Sequence, residues 1–310
     1  MILGTVYRST GSWYKVVVNG KIINCRIKGK LRLDGIKSTN PVVVGDRVVV
    51  TQESFQEKNE GLIMEIKPRE NYIVRKSVNL SKQTHIIAAN IDHAFLIVTI
   101  DNPSTSTSFI DRFLVTAEAY KIKSTLIFNK IDTHDPKTKS RTKELIEIYK
   151  RIGYKSLKIS ALDHKNLNKL KKIISTKTCM FSGHSGVGKS TLINALSPGL
   201  ELRTSSISDY HQQGQHTTTF AEMYDLKSGA RLIDTPGIKG FGLVDMKKHE
   251  IGRYFPEFRT FSDQCKFNNC LHVDEPSCSV KNAISMKLVS SSRYRSYLQL
   301  LDDNKIYRNS

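Results

Sequence analysis

Short apolar, β-branched runs at residues 5–8, 14–18, 21–27, 47–51 and 62–66 alternate with polar turn residues along the first part of the chain. Within these runs apolar and polar side chains interchange with a period of two, the pattern of strands that bury one face. Asn19-Gly20 is the dipeptide of a two-residue hairpin turn, and Gly29, Asp34-Gly35, Gly45-Asp46 and Asn59-Glu60-Gly61 mark the other reversals. Five strands with no helical pattern between them predict a small β-barrel, and its basic composition points to the oligonucleotide-binding (OB-fold) class. Trp13, Tyr14 and Tyr7 are either base-stacking aromatics beside Lys15 and Arg8 or core fillers, with Trp13 the better fit to a core.

After a connector at 68–80 the period changes. Residues 86–100 read as buried strand, 109–120 as helix, 124–128 as strand, 142–152 as helix, 157–160 as strand and 167–174 as helix. Residues 178–182 then form a strand that runs into a glycine-rich loop, 189–196 begin a helix, and 220–226 and 231–233 are two further strands. This alternation predicts an α/β unit with a parallel, doubly wound sheet. The basic, polar stretch 137–143 reads as solvated.

The length, 310 residues, fits two or three domains. Lys and Arg number 48 against 29 Asp and Glu, a net charge of +19 that is densest at the N-terminus, where residues 1–85 carry +8. Such a chain attracts phosphate backbones, so a nucleic-acid partner is favoured over an acidic protein, with a solvated basic face as the plainer alternative. The N-terminus lacks the basic and long apolar regions of a signal peptide, and the apolar run at 94–100 is far short of the ~20 residues that span a bilayer. A soluble, cytoplasmic protein without membrane contact is expected. Three of the five cysteines fall within 265–278, which suggests metal, whereas Cys25 and Cys179 sit in apolar runs and suggest core.

Three motifs carry the chemistry. Gly183-His184-Ser185-Gly186-Val187-Gly188-Lys189-Ser190 is a phosphate loop between a strand and a helix: its glycines let successive N–H groups face a β-phosphate. Lys189 reaches the β/γ oxygens, Ser190 ligates Mg²⁺, and Thr191 follows in the same helical turn. Asp234-Thr235-Pro236-Gly237 ends an apolar strand, where Asp234 holds Mg²⁺ through water and Gly237 presents its N–H to a γ-phosphate. In Asn129-Lys130-Ile131-Asp132 the carboxylate can accept two hydrogen bonds from the guanine edge, which adenine cannot offer; Asn129 ties neighbouring loops and Lys130 lies over the base. Ser160-Ala161-Leu162 has the place of a loop that contacts guanine O6. The base-reading motif precedes the phosphate loop, the reverse of the ordinary order, so the chain reads as a circular permutation of a P-loop GTPase.

Between the phosphate-loop helix and Asp234 lies Gln213-Gly214-Gln215-His216-Thr217-Thr218-Thr219, the position of a switch I loop, with Thr218 the favoured Mg²⁺ ligand. Ile238 stands where many GTPases place a water-orienting glutamine, so slow intrinsic hydrolysis is expected. His216 is a catalytic candidate, with a solvated loop histidine as the alternative. Cys265, Cys270, His272 and Cys278 make a complete Cys₃His set with no open position, the composition of structural Zn²⁺, in a polar segment too poor in apolar residues to build much core.

Together the barrel, the permuted motif order, Gly214-Gln215-His216-Thr217-Thr218-Thr219 and the Cys₃His set resemble the RsgA/YjeQ family over essentially the whole chain. The resemblance implies an OB-fold barrel (1–70), a circularly permuted GTPase domain (71–245) and a zinc-binding domain with helices (246–310). It also implies a monomer that binds GTP and GDP and docks on the 30S ribosomal subunit and its 16S rRNA. GTP hydrolysis there would be ribosome-stimulated and coupled to late subunit assembly and to release. His184 is a departure, since Asn is the expected residue, but the cradle acts through backbone. A GTP-holding RNA-binding module with little turnover, and a GTPase acting on another RNA such as tRNA, are the competing readings.

Overall fold

The computed structural model describes residues 1–28, 40–52, 60–76, 84–200, 202, 220–237, 241 and 246–306. Strands β1 (Ile2–Ser9), β2 (Tyr14–Val18), β3 (Lys21–Ile27), β4 (Arg47–Gln52) and β5 (Glu60–Ile66) form the barrel. β1 pairs with both β2 and β4, β3 runs parallel to β5, and β4 pairs with β5, so the ring closes and leaves no free edge of its own. Alternation sends Val6, Tyr14, Val16, Val18, Ile23, Cys25, Val48, Val50 and Ile63 inward. Asn19 and Gly20 both take positive φ, 49° and 77°, as the tight turn between β2 and β3 requires.

Trp13 does not fill this core. It is partly buried at the outer surface with the Arg26 guanidinium 4.1 Å above its ring, and Tyr14, in phase with Val16 and Val18, takes the inner position at 1 % exposure. The expected connector also contains a strand. β6 (Tyr72–Lys76) pairs with β7 (Thr84–Ala89) in a separate two-stranded sheet. The barrel is fastened to it closely: Ala89 donates its N–H to Val44, and a Cβ on Gly45 would lie 2.0 Å from the Ala89 carbonyl oxygen.

The second unit begins at β8 (His93–Val98) and continues through α1 (Thr107–Ala119), β9 (Lys123–Phe128), α2 (Pro136–Arg151), β10 (Lys155–Lys158), α3 (Leu167–Ile174), β11 (Thr178–Ser182), α4 (Lys189–Leu196), β12 (Glu222–Asp225) and β13 (Arg231–Asp234). Its strand order is β10-β9-β8-β11-β13-β12, parallel except for β12. All of β8 is buried because its alternate residues serve two cores: Leu96 and Val98 face α1 and α2, Phe95 and Ile97 face α3 and α4. The stretch read as solvated at 137–143 is the start of α2, with Asp135 accepting the Thr138 N–H at 2.7 Å and Pro136 in the first turn.

β12 joins the two units. Arg8 of β1 pairs with Glu222, so barrel and α/β sheet form one eleven-stranded sheet. Arg8 and Lys15 reach Glu222 at 3.7 and 3.8 Å, and the Tyr7 hydroxyl donates to Asp225 at 2.7 Å. These side chains, which the sequence offers as nucleic-acid contacts, thus face the neighbouring strand.

Downstream, α5 (Lys248–Ile251), α6 (Pro256–Ser262), α7 (Ser279–Ser285) and α8 (Ser291–Ile306) enclose a third core of Ile251, Phe255, Phe258, Val280, Tyr297 and Leu300, to which α1 contributes Val115. Among the described residues no helix is long and apolar enough to cross a membrane.

Candidate functional site

The parallel strands end at one edge of the sheet, and the loops that follow β9, β10, β11 and β13 carry the sequence motifs, the usual place for a ligand in an open α/β sheet. Two glycines shape the loop after β11. A Cβ on Gly183 (φ 154°) would stand 2.7 Å from the Ile97 carbonyl oxygen, and one on Gly188 (φ 90°) would stand 2.6 Å from Asn129 Nδ2. Ser185 and Gly186 are exposed, Val187 is buried, and Ser190 and Thr191 are partly buried at the start of α4. The Lys189 ammonium, buried, donates to the carbonyl oxygens of Gly183 (2.9 Å) and His184 (2.8 Å). Burial pushes its pKa down to about 8, with Asp234 pulling the other way.

Asp234 ends β13 almost wholly buried, and Thr235 beside it donates to the Phe181 carbonyl at 2.9 Å. Gly237 lies against the phosphate loop: a Cβ there would meet the Ser185 nitrogen at 3.2 Å.

Asn129 is the hub. Its Nδ2 donates to the Val187 carbonyl at 2.9 Å and its Oδ1 accepts the Ala161 N–H at 3.1 Å, so one buried side chain binds the loops after β9, β10 and β11. Lys130 adopts a left-handed conformation (φ 60°) and its Nζ donates to the Asn102 carbonyl at 2.6 Å. Burial lowers its pKa and Asp132 opposes the shift. Ile131 donates its N–H to the Ile159 carbonyl, Asp132 is exposed, and the buried Ser160 hydroxyl accepts the Asp163 N–H at 3.0 Å. His216, Thr218 and Ile238 lie outside the described residues.

The four C-terminal candidates converge. The ligand atoms of Cys265, Cys270, His272 and Cys278 all lie within 4.8 Å of one another. Cys265 and Cys278 sulfurs are 3.9 Å apart, and His272 Nδ1 is 3.7 and 3.4 Å from them. Tetrahedral bonds of about 2.3 Å place sulfurs about 3.8 Å apart, so the spacing suits a metal ion, and Nδ1 is the ring nitrogen that faces the thiols. The loop between the ligands is held from outside. Glu275 accepts the N–H groups of Leu271 (2.6 Å) and Val273 (2.9 Å), while Tyr297 and Tyr294 donate their hydroxyls to the carbonyls of Leu271 (2.6 Å) and His272 (2.7 Å). Burial alone would raise the Glu275 pKa, but those N–H groups outweigh it and the net shift is downward.

Sequence reasoning passed over this outer layer, and over Asn102, Phe109 and Arg293. Phe109 of α1 stacks on His184 with ring centroids 3.9 Å apart. Arg293 of α8 donates to Asp111 of α1 and to Glu257. None has a local motif; each acts through partners distant in sequence.

Comparison with known proteins bears on the whole chain. Residues 66–244 match the family profile described as RsgA GTPase and residues 3–63 that of the RsgA N-terminal domain. Proteins named small ribosomal subunit biogenesis GTPase RsgA are 60 % identical in Flavobacterium johnsoniae (98 % of this chain, 94 % of the relative) and 59 % identical in Christiangramia forsetii (96 % and 95 %). The crystal structure of YjeQ from Thermotoga maritima superposes with a TM-score of 0.75 at 34 % identity, covering 97 % of this chain and 98 % of that one. YloQ, a circularly permuted GTPase, gives 0.70 at 32 % identity, with 98 % and 95 % covered. Barrel, permuted sheet and sequence agree that this chain belongs to the RsgA GTPase family.

Proposed function

We propose that this GTPase acts in small ribosomal subunit biogenesis, docking in the cytoplasm on the 30S particle and its 16S rRNA and leaving after hydrolysis. The names of its relatives support the subunit, and the net charge of +19 supports an RNA partner. The observation that carries the nucleotide reading is Asn129, whose amide joins the base-reading, phosphate and Ser160-Ala161 loops into one cleft.

In that cleft the triphosphate lies along residues 183–190. Lys189 exchanges the carbonyls of Gly183 and His184 for phosphate oxygens, and Gly237 offers its N–H to the γ-phosphate. Asp132, exposed at the mouth, selects guanine, with Lys130 over the base and Ile131, Ser160 and Ala161 closing its edge. Mg²⁺, which neutralises charge developing on the phosphates, would be held by Ser190, by Asp234 through water, and by Thr218. Ile238 cannot orient water, so His216 or a ribosomal group completes the site and turnover rises on docking. Zn²⁺ is the metal assigned to Cys265, Cys270, His272 and Cys278, with a structural role. Units at 1–70, 71–245 and 246–310 fit these tasks.

GTP turnover by the monomeric protein is measured with 30S, 50S or tRNA, beside Asp132→Asn. Stimulation by 30S alone, and a switch of Asp132→Asn from GTP to XTP, is expected. Equal rates with and without 30S overturn the ribosomal reading, and stimulation by tRNA instead redirects it.

A further inference from the structure

Helix α1 touches both the phosphate loop and the segment that follows Gly237. The Phe109 ring stacks on the His184 imidazole, centroids 3.9 Å apart and planes inclined at 29°. The same ring meets Phe241 at 5.6 Å, and Phe241 packs edge-on against Phe113, one turn further along α1, at 5.1 Å. Phe109 is 6 % exposed and Phe241 2 %. The helix beneath them is fixed at its start by Ser106, whose hydroxyl accepts the Phe109 N–H at 3.2 Å, and at its far side by Arg293 on Asp111. In a close-packed interior such a ring cannot retreat without opening a void.

Gly237 and Phe241 are therefore each linked to the phosphate loop. Gly237 lies directly on Ser185, and Phe241 reaches His184 through Phe109. His184 is also where the loop's backbone is engaged, since its carbonyl accepts the Lys189 ammonium. An aromatic side chain at position 184 therefore links this loop, and the carbonyl that Lys189 must release, to α1.

We propose that Phe109 is a positioning residue for discrimination between GTP and GDP. By seating His184 and Phe241 against one ring, it makes the closed position of Gly237 over the phosphate loop and the binding-competent shape of that loop favour each other. The inference rests on the reading that nucleotide phosphates lie along residues 183–190. A γ-phosphate needs both the loop and Gly237, whereas GDP needs the loop alone, so the aromatic contact favours the triphosphate. Coupling of this kind is reciprocal and typically amounts to 5–150-fold in affinity, roughly. A phenylalanine that merely fills the core would support both nucleotides alike.

The test measures dissociation constants for GDP and a non-hydrolysable GTP analogue with wild type, Phe109→Leu, Phe241→Leu, the double variant and His184→Ala. The analogue's advantage over GDP should fall about tenfold in each single variant, a change within that coupling range, and the double variant should fall little further than either single. Equal losses for both nucleotides in the soluble variants, or losses that simply multiply in the double variant, overturn the proposal. Should Phe109→Leu fail to fold, Phe241→Leu and His184→Ala read the same ratio. Lys189→Ala keeps the two readings apart: if it binds both nucleotides like wild type, the phosphate-loop reading fails, not the aromatic contact.

Discussion

Arg293 Nη1 lies 2.8 Å from Asp111 Oδ1, and neither side chain has any exposure to solvent. The rest of the guanidinium donates to Glu257 at 2.7 and 3.1 Å and its face covers the Phe255 ring, while Tyr149 donates its hydroxyl to the same Asp111 oxygen. Burial lowers the Arg293 pKa, but Asp111 and Glu257 outweigh it and the net shift is upward, so the cation is retained. One residue of α8 thus clamps the C-terminal helices to α1.

Removing the cation leaves two buried carboxylates without their counter-charge. Arg293→Met should cost about 3–5 kcal/mol in urea denaturation, the range for breaking a buried pair from one side. Adding Asp111→Asn and Glu257→Gln should recover part of that loss. A single variant as stable as wild type would show that the clamp contributes nothing.

Burial of Lys189 should give the free protein a pH dependence whose sign follows from its lowered pKa. Its native pKa, about 8, lies below the ordinary 10.5, so the unfolded chain binds more protons between those values and this group adds stability as pH rises through that window. Phosphate oxygens restore the charged form, so nucleotide binding above pH 8 should take up as much as one proton and weaken by up to tenfold per pH unit. Calorimetry of GDP binding in buffers of different ionisation enthalpy measures the uptake. Lys189→Arg, permanently charged, should abolish it, and identical uptake in both proteins would assign the proton elsewhere.

The motifs at residues 129–132, 183–190 and 234–237 were legible because each needs rare residue types at fixed spacing beside a strand end. The barrel was legible from its alternation, and Tyr14-x-Val16-x-Val18 fixes which aromatic turns inward more firmly than the bulk of Trp13 does. The start of α2 carried a cap and a proline, Asp135-Pro136, that outweigh the polarity of the following turn. Other features left no local trace. Arg8 and Lys15 have the composition of phosphate contacts but meet Glu222, over two hundred residues away, and Asp111 of α1 meets Arg293, 182 residues on. β6 was hidden because its partner β7 is separated from β8 only by residues 90–92, which merges two strands of different sheets into one apolar run.

His93, at the start of β8, bonds Thr125 Oγ1 at 2.9 Å and stacks on Phe95. Burial, then Lys177, Lys123 and Lys155, push its pKa down to about 4 against the weaker pull of Asp92. The unfolded chain takes up this proton near pH 6.5 and the native protein near 4, so the stabilisation is complete above 6.5 and about 3 kcal/mol is lost as pH falls to 4. His93→Gln, which keeps a hydrogen-bonding group for Thr125, should flatten that decline in denaturation experiments between pH 7 and 4.5. An unchanged slope would assign the acid sensitivity to other groups.

Metal removal should reach beyond the metal. Zinc analysis of the purified protein is expected to give one ion per chain, and Cys270→Ser or a strong chelator should abolish it, since three ligands cannot hold a closed structural site. His272 packs edge-on against Phe258, and Phe258 lies in the same core as Val115 of α1. Once the ion is gone, the thiols and imidazole lose the bond that fixes the 265–278 loop, and Tyr294 and Tyr297, which hold that loop to α8, lose their anchored partners. The disturbance then has a packed route through α8 and Arg293 to α1, hence to the helix that carries Phe109. Amide hydrogen exchange around residues 113–117 should therefore accelerate on chelation, together with that of α7 and α8, while β1 to β5, with a separate core, stay protected. Faster exchange confined to the C-terminal helices would mean that α1 is insulated from the metal.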